Sequence, residues 1–309
     1  MPTAYISHAD CGRHDTGWGH PEHVGRLRAI PRALRDAPDV FQGVDHIEGR
    51  HATPDDLALA HDPGYVAEVR ALAEAGRPAR LDPDTVMSAG SWDAATAAVG
   101  CAIEAVDRAV DGRSARSFCA VRPPGHHALR QRAMGFCLFG TVALAAHHAR
   151  RRHGLDRVLI VDWDVHHGNG TQALVQDDPG VHLVSMHQWP WYPGTGAAED
   201  RGPHRTVWNV PQPPGLPAID YRTAFLGAVD RATVGFTPDI VLISAGFDSL
   251  RGDPLGGFTL EPDDIVRLTD AMVERARSWC GGRVVSVLEG GYAVDRTAAA
   301  CVAHLRAML

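Results

Sequence analysis

From about Ser91 onward the chain alternates between two hydrophobic periodicities. Residues 92 to 110 and 141 to 152 are alanine-rich with apolar positions at helical spacing, which predicts two helices. Arg157-Val-Leu-Ile-Val161 is a short β-branched run ending at Asp162, the pattern of a strand buried on both faces. Val181 to Ser185, Asp239 to Ser244 and Arg283 to Leu288 repeat that pattern. Helical stretches at 220 to 234 and 261 to 279 lie between these runs, and a last helix is predicted over 295 to 308. This order of strand, loop and helix predicts an α/β domain with a mainly parallel sheet. No linker-like stretch or internal repeat interrupts it, so residues 1–309 read as a single domain.

Each predicted strand leads at once into a polar, glycine-containing loop: 162 to 170, 186 to 196, 245 to 257 and 289 to 292. Ligands of open parallel sheets bind beyond the carboxyl ends of the strands, so these loops should converge on one site. Residues 12 to 25 and 76 to 91 read as long loops, which in compact domains tend to be functional.

Composition excludes more than it assigns. A hydrophobic fraction of 45% and a charged fraction of 22% are ordinary for a globular protein. The net charge of −7 argues against a general nucleic-acid binder, which needs a basic stripe. All 30 basic residues are arginine, and the one basic run, Arg150-Arg151-Arg152, reads as the solvated end of a helix. No apolar run is long enough to span a bilayer and the N-terminus lacks a signal-peptide pattern, so no membrane association and a cytoplasmic location are expected. The six scattered cysteines, with no CxxC pair, are expected to be reduced thiols. The unusual count is 18 histidines. His147, His148 and His304 fall on predicted helices and read as packed or surface residues.

Other histidines stand where chemistry is expected. In Asp162-Trp-Asp164-Val-His166-His167-Gly-Asn169, an Asp-x-His pair just past a strand end can present an oxygen and a nitrogen to one ion. Such mixed donors suit zinc, with a third ligand from elsewhere and a fourth position left for water. Asp248 follows another predicted strand and is the candidate third ligand. Alone, one Asp-x-His would read as a helix cap in a polar loop; the added carboxylates and imidazoles favour a metal site. Arg122-Pro-Pro-Gly-His126-His127 sets two adjacent imidazoles after a rigid turn, suited to general acid–base work beside a metal. Glu289-Gly-Gly-Tyr292 lets the chain approach a ligand closely and offers a hydroxyl to an oxyanion.

Together these segments resemble the zinc-dependent histone deacetylase family, of the arginase/deacetylase fold. The resemblance also covers His20-Pro-Glu22 with Arg26-Leu27, Gly135-Phe-Cys137, Pro193-Gly-Thr-Gly196 and Ala245 to Asp253, in order through most of the chain. It implies one domain with a central, mainly parallel sheet of eight strands flanked by helices. It also implies zinc on Asp164, His166 and Asp248, with catalysis by His126, His127 and Tyr292. In that reading Asp162 orients His126 and Asn169 partners His127. The Trp-Asp-Val-His-His-Gly-Asn form is similar to the class II branch, which includes bacterial members and acetylpolyamine amidohydrolases.

The activity so implied is hydrolysis of an N-acyl amide, N6-acetyl-lysine foremost, by a metal-activated water. Gly135, Phe136, Tyr192 and Leu255 would line the substrate tunnel, Tyr192 standing where most relatives carry phenylalanine. His14, Asp15, Trp18, Asp82 and Asp84 lie in loops expected at its rim. Leu255 replaces the acidic residue of a polyamine-selective branch, which leans towards acetyl-lysine peptides or proteins over acetylated polyamines. A structural potassium ion on oxygens of Asp162, Asp164, His166, Ser185 and Met186 is a further implication. Iron(II) or cobalt suits the zinc donors too. An arginase-like manganese enzyme is disfavoured by Asn169 and the tandem histidines, and a non-catalytic scaffold by the intact Tyr292. Another small N-acyl metabolite as substrate, and a homo-oligomer, are left open.

Overall fold

A computed structural model describes residues 2–309. Its strands are β1 (Thr3–Ser7), β2 (Val44–Glu48), β3 (Ala79–Arg80), β4 (Val86–Met87), β5 (Arg116–Cys119), β6 (Val158–Asp162), β7 (Val181–Gln188), β8 (Val207–Gln212), β9 (Ile240–Ala245) and β10 (Val284–Leu288). Eight of them form one sheet in the order β2-β1-β5-β10-β9-β6-β7-β8, every neighbouring pair parallel. The remaining two, β3 and β4, make a small antiparallel pair inside the predicted long loop at 76 to 91.

Successive residues of the central strands feed opposite layers. Leu159, Val161, Val241 and Ile243 pack with apolar residues of helices Ala218–Ala232, Pro262–Cys280 and Val294–Ala307. Val158, Ile160, Ile240 and Leu242 pack with those of helices Ser91–Val110 and Thr141–His153. Burial on both faces is why these strands read as unbroken apolar runs. A third cluster joins helix Pro63–Glu74 to Leu57, Met87 and Phe139.

The five helices predicted after Ser91 are present with ends shifted by a few residues, and β7 runs on to Gln188. Within the eight-stranded sheet, β1, β2, β5 and β8 are the strands that periodicity alone leaves unread. Among the described residues no helix is long and apolar enough to cross a membrane.

Register sets the level of the site. Asp162 pairs with Ser244 of β9 and with Ser185 of β7, and Leu288 of β10 pairs with Ala245 of β9. The carboxyl ends of four adjacent strands, β5, β10, β9 and β6, therefore open onto a common cleft. The chain passes from β5 across to β6 and later fills the gap with β9 and β10, which makes this cleft the topological switch point.

Candidate active site

The loops after β6 and β9 bring Asp164, His166 and Asp248 together, all three buried, with one ligand atom of each within 4.8 Å of the others. His166 Nδ1 lies 3.0 Å from Asp164 Oδ1 and 3.2 Å from Asp248 Oδ2. Main-chain amides fix the carboxylates: Gly290 N–H donates to Asp164 Oδ2 at 2.9 Å and Val165 N–H to Asp248 Oδ1 at 2.9 Å. Asp248 Oδ2 is buried and finds no hydrogen bond of acceptable geometry. Burial and the charge of Asp164 push the Asp248 pKa up to about 7, a measure of crowded negative charge. An orphaned carboxylate oxygen beside a second carboxylate and an imidazole fits a divalent cation with mixed oxygen and nitrogen donors. Gly290 is required here, because a Cβ would overlap carboxylate oxygens of both Asp164 and Asp248.

The tandem histidines arrive from the loop after β5 with ring centroids 4.0 Å apart. Their second partners differ. His126 Nδ1 stands 3.0 Å from Asp162 Oδ2, and its Nε2 is 3.7 Å from Asp164 Oδ1. His127 Nδ1 stands 2.7 Å from the side-chain oxygen of Asn169. Burial would lower the His126 pKa, but the charges of Asp164 and Asp162 hold it well above the ordinary value. Burial, helped by His126 and His166, pushes His127 well below it. Two adjacent imidazoles are thus driven apart in basicity, the usual way to obtain an acid and a base from one residue type.

Above this floor lies a cavity of about 220 Å³ lined by Asp84, His127, Gly135, Phe136, His166, Trp191, Tyr192, Leu255 and Tyr292. All four residues expected to line the tunnel are therefore on its wall. The Tyr192 ring meets His127 edge-on at 5.1 Å and Phe136 meets Tyr292 at 5.9 Å. Trp191 was not anticipated; its indole N–H donates to the Leu255 carbonyl at 2.9 Å and ties two rim loops together.

The expected rim residues separate. Asp84 lines the cavity and accepts from the Gly135 amide at 3.1 Å. Asp82 is engaged by Arg132 at 2.7 Å. Trp18 is fully exposed and lines a neighbouring basin with Asp15, on the far side of Tyr292. His14 also borders that basin, but it is buried, bonded to Ser91 Oγ at 2.7 Å and 3.6 Å from Glu22, and does not line the cavity above the tandem histidines.

Gly135 has φ 56°, and a Cβ there would overlap the His127 ring. A Gly135→Ala protein is expected to shift that ring and to lose on the order of 10²-fold in kcat, the cost of a misplacement of about 1 Å. Steady-state kinetics with intact metal content is the check; unchanged kcat would mean that the ring position is not set here.

The histone deacetylase domain model matches residues 20–308. The chain belongs to the histone deacetylase family. Similar relatives include a histone deacetylase-like amidohydrolase of Pseudomonas aeruginosa, 36% identical over 89% of this chain and 75% of that protein. The human polyamine deacetylase HDAC10 is 36% identical over 96% of this chain, which spans only 46% of HDAC10. An uncharacterized Synechocystis protein, slr0245, is 42% identical over 99% of both chains. The crystal structure of the HDA15 HD domain superposes with a TM-score of 0.93, at 35% identity, over 100% of this chain and 88% of that one. This family member is accordingly an amidohydrolase with a candidate buried metal site at Asp164, His166 and Asp248.

Residues without an assigned role in the sequence turn out to brace this deacetylase site. Arg122 holds Glu22 through two bonds, Nε to Oε1 at 2.8 Å and Nη2 to Oε2 at 2.7 Å. Arg26 reaches the same carboxylate at 3.1 Å and donates to the Gly291 carbonyl at 2.6 Å and the Glu289 carbonyl at 2.5 Å. Its guanidinium lies 4.8 Å from the Tyr292 ring centroid. Glu289 accepts from the main-chain amides of Gly125 at 2.6 Å and His126 at 3.2 Å, pinning the tandem histidines to the end of β10. His167, in the metal-bearing segment, instead holds the 193–196 loop by a 2.8 Å contact with Thr195 Oγ1.

Proposed function

We propose that this deacetylase-family enzyme is a zinc-dependent deacylase of linear N-acyl amides, N6-acetyl-lysine foremost, with residues 1–309 forming one catalytic domain. The observation that carries the reading is the narrow aromatic cavity whose floor joins His127 and Tyr292 to the Asp164, His166 and Asp248 cluster. Asp164, His166 and Asp248 would hold the zinc, which when bound supplies Lewis acidity to a carbonyl oxygen and to water.

The protein's own groups do the rest. Phe136 and Tyr192 flank a linear side chain and keep bulk water from the floor. His127, facing the cavity with an amide rather than a carboxylate behind it, takes the proton of the attacking water at Nε2. His126, paired with Asp162, stabilises the developing charge and helps return a proton to the leaving amine. Tyr292 offers its hydroxyl to the oxyanion. Buried Ser185, opposite Asp162 in the β6–β7 register, supports potassium on oxygens of Asp162, Asp164, His166, Ser185 and Met186.

A polyamine substrate is the second reading, favoured by one observation: the Asp84 carboxylate on the cavity wall offers an anion to a distal ammonium. Leu255 on the same wall weighs towards acetyl-lysine. The test is to assay zinc-loaded protein against a fluorogenic acetyl-lysine peptide and N-acetylputrescine in parallel, with a hydroxamate inhibitor as control. Hydroxamate-sensitive preference for the peptide is expected. Preference for N-acetylputrescine would overturn the lysine assignment and make Asp84 the decisive wall residue.

A further inference from the structure

We propose that Asp107, His148 and His153 form a second cation site, for a first-row divalent ion of the zinc class, that fastens helix Ser91–Val110 to helix Thr141–His153. The three side chains each offer a ligand atom within 4.8 Å of the others. Nε2 of His148 and Nε2 of His153 both stand 2.6 Å from a single oxygen, Asp107 Oδ1, with ring centroids 5.2 Å apart. Two imidazole nitrogens converging on one carboxylate oxygen, closer than an ordinary N–H···O bond, is the disposition of a ligand set drawn in on itself. One oxygen and two imidazole nitrogens select zinc-class ions over magnesium or calcium, which take oxygen donors.

Two further features favour a cation. The arginines on the Asp107 side are committed elsewhere, Arg108 to Glu104 and Asp45 and Arg113 to Glu104 and Asp111, and among the described residues no arginine pairs with Asp107. The partly enclosed Asp107 carboxylate, 24% exposed, is left to two imidazoles whose charge is not permanent. Asp107 also lies in the last turn of its helix, and His153 is the final residue of the other before Gly154, so the negative ends of two helices meet here. The exposed edges of Asp107 and His153 give an ion access and leave room for a water ligand.

The site is separate from the catalytic cleft. Both helices run from this point into the amino ends of β5 and β6, the edge of the sheet opposite the metal-bearing loops. Its role is structural. His148 reads from the sequence as a packed helical histidine, because its partners lie on another helix and at the end of its own.

The test uses the full chain dialysed against zinc, with bound metal measured by mass spectrometry. The parent is expected to hold one more zinc per chain than His153→Ala or Asp107→Asn; with Asp248→Asn added to all three, so that the other zinc is gone, only the chain with His153 and Asp107 intact should gain thermal midpoint with zinc. Asp107→Asn keeps an oxygen that accepts an imidazole N–H, so it separates a metal site from a hydrogen-bonded clip. Asp248→Asn should lose the other zinc and keep this one, which makes the result independent of the catalytic reading. Equal zinc content in the parent, His153→Ala and Asp107→Asn would overturn the proposal, as would a zinc-dependent midpoint shift that survives either substitution in the Asp248→Asn background.

Discussion

A Tyr292→Phe protein is expected to bind zinc like the parent and to turn over acetyl-lysine substrate about 10²–10³-fold more slowly, the usual cost of one oxyanion donor. The cluster of Asp164, His166 and Asp248 takes its hydrogen bonds from the main-chain amides of Gly290, Val165 and His166, none of which involves this hydroxyl. The ring keeps its place without the oxygen as well. It lies between Phe136 and the Arg26 guanidinium, and its own main-chain amide donates to Asp253 Oδ2 at 2.6 Å. A phenylalanine there loses one donor and little else. Metal content and kcat/KM measured on the same preparation decide the matter. Unchanged turnover would remove the tyrosine from the chemistry, and loss of zinc would make it a structural support.

The largest effect on stability is expected from Glu22→Gln. Glu22 is fully buried between Arg26 and Arg122, with His14 beside it. Removing one partner of a buried charge network leaves the others uncompensated and costs about 3–5 kcal/mol. Denaturant unfolding of parent and variant reads this directly, and a loss well under 1 kcal/mol would mean that solvent reaches the arginines. The acid side gives a second check. Burial would raise the Glu22 pKa, yet Arg122 and Arg26 hold it down to about 2, against an ordinary value of 4.5. A depressed carboxylate contributes stability that is complete above the unfolded-state value and is lost as pH falls through the folded one. The parent should therefore lose this contribution between about pH 4.5 and pH 2, while Glu22→Gln should lack that part of the acid dependence.

What the sequence makes legible follows from burial and contiguity. Strands β6, β7, β9 and β10 are apolar runs because both faces are covered, so they can be read without a structure. Strand β5 is central but only four residues long and begins Arg116-Ser117, while β2 and β8 lie at the sheet edges and carry polar residues or Pro211. Helix Gly25–Arg35 hides behind an internal proline, Pro31. Asp164 and His166 are legible because they are two residues apart at a strand end. The Glu22–Arg122 pair spans a hundred residues, and no local pattern announces it. The burial of His14 is hidden for the same reason, since its partner Ser91 lies 77 residues away.

The position of β10 has a consequence for how the enzyme comes into being. It pairs with β5 on one side and β9 on the other, yet it follows both in the chain. Until it leaves the ribosome, β2-β1-β5 and β9-β6-β7-β8 are two ribbons, each with a bare edge open to mispairing. The candidate metal ligands follow β6 and β9, neighbours within a single ribbon, whereas the tandem histidines belong to the other and Tyr292 to the closing strand. On the proposed roles, a nascent chain can gather its ion before it owns the groups that use it, and catalytic competence arrives in one step, with the strand that welds the halves.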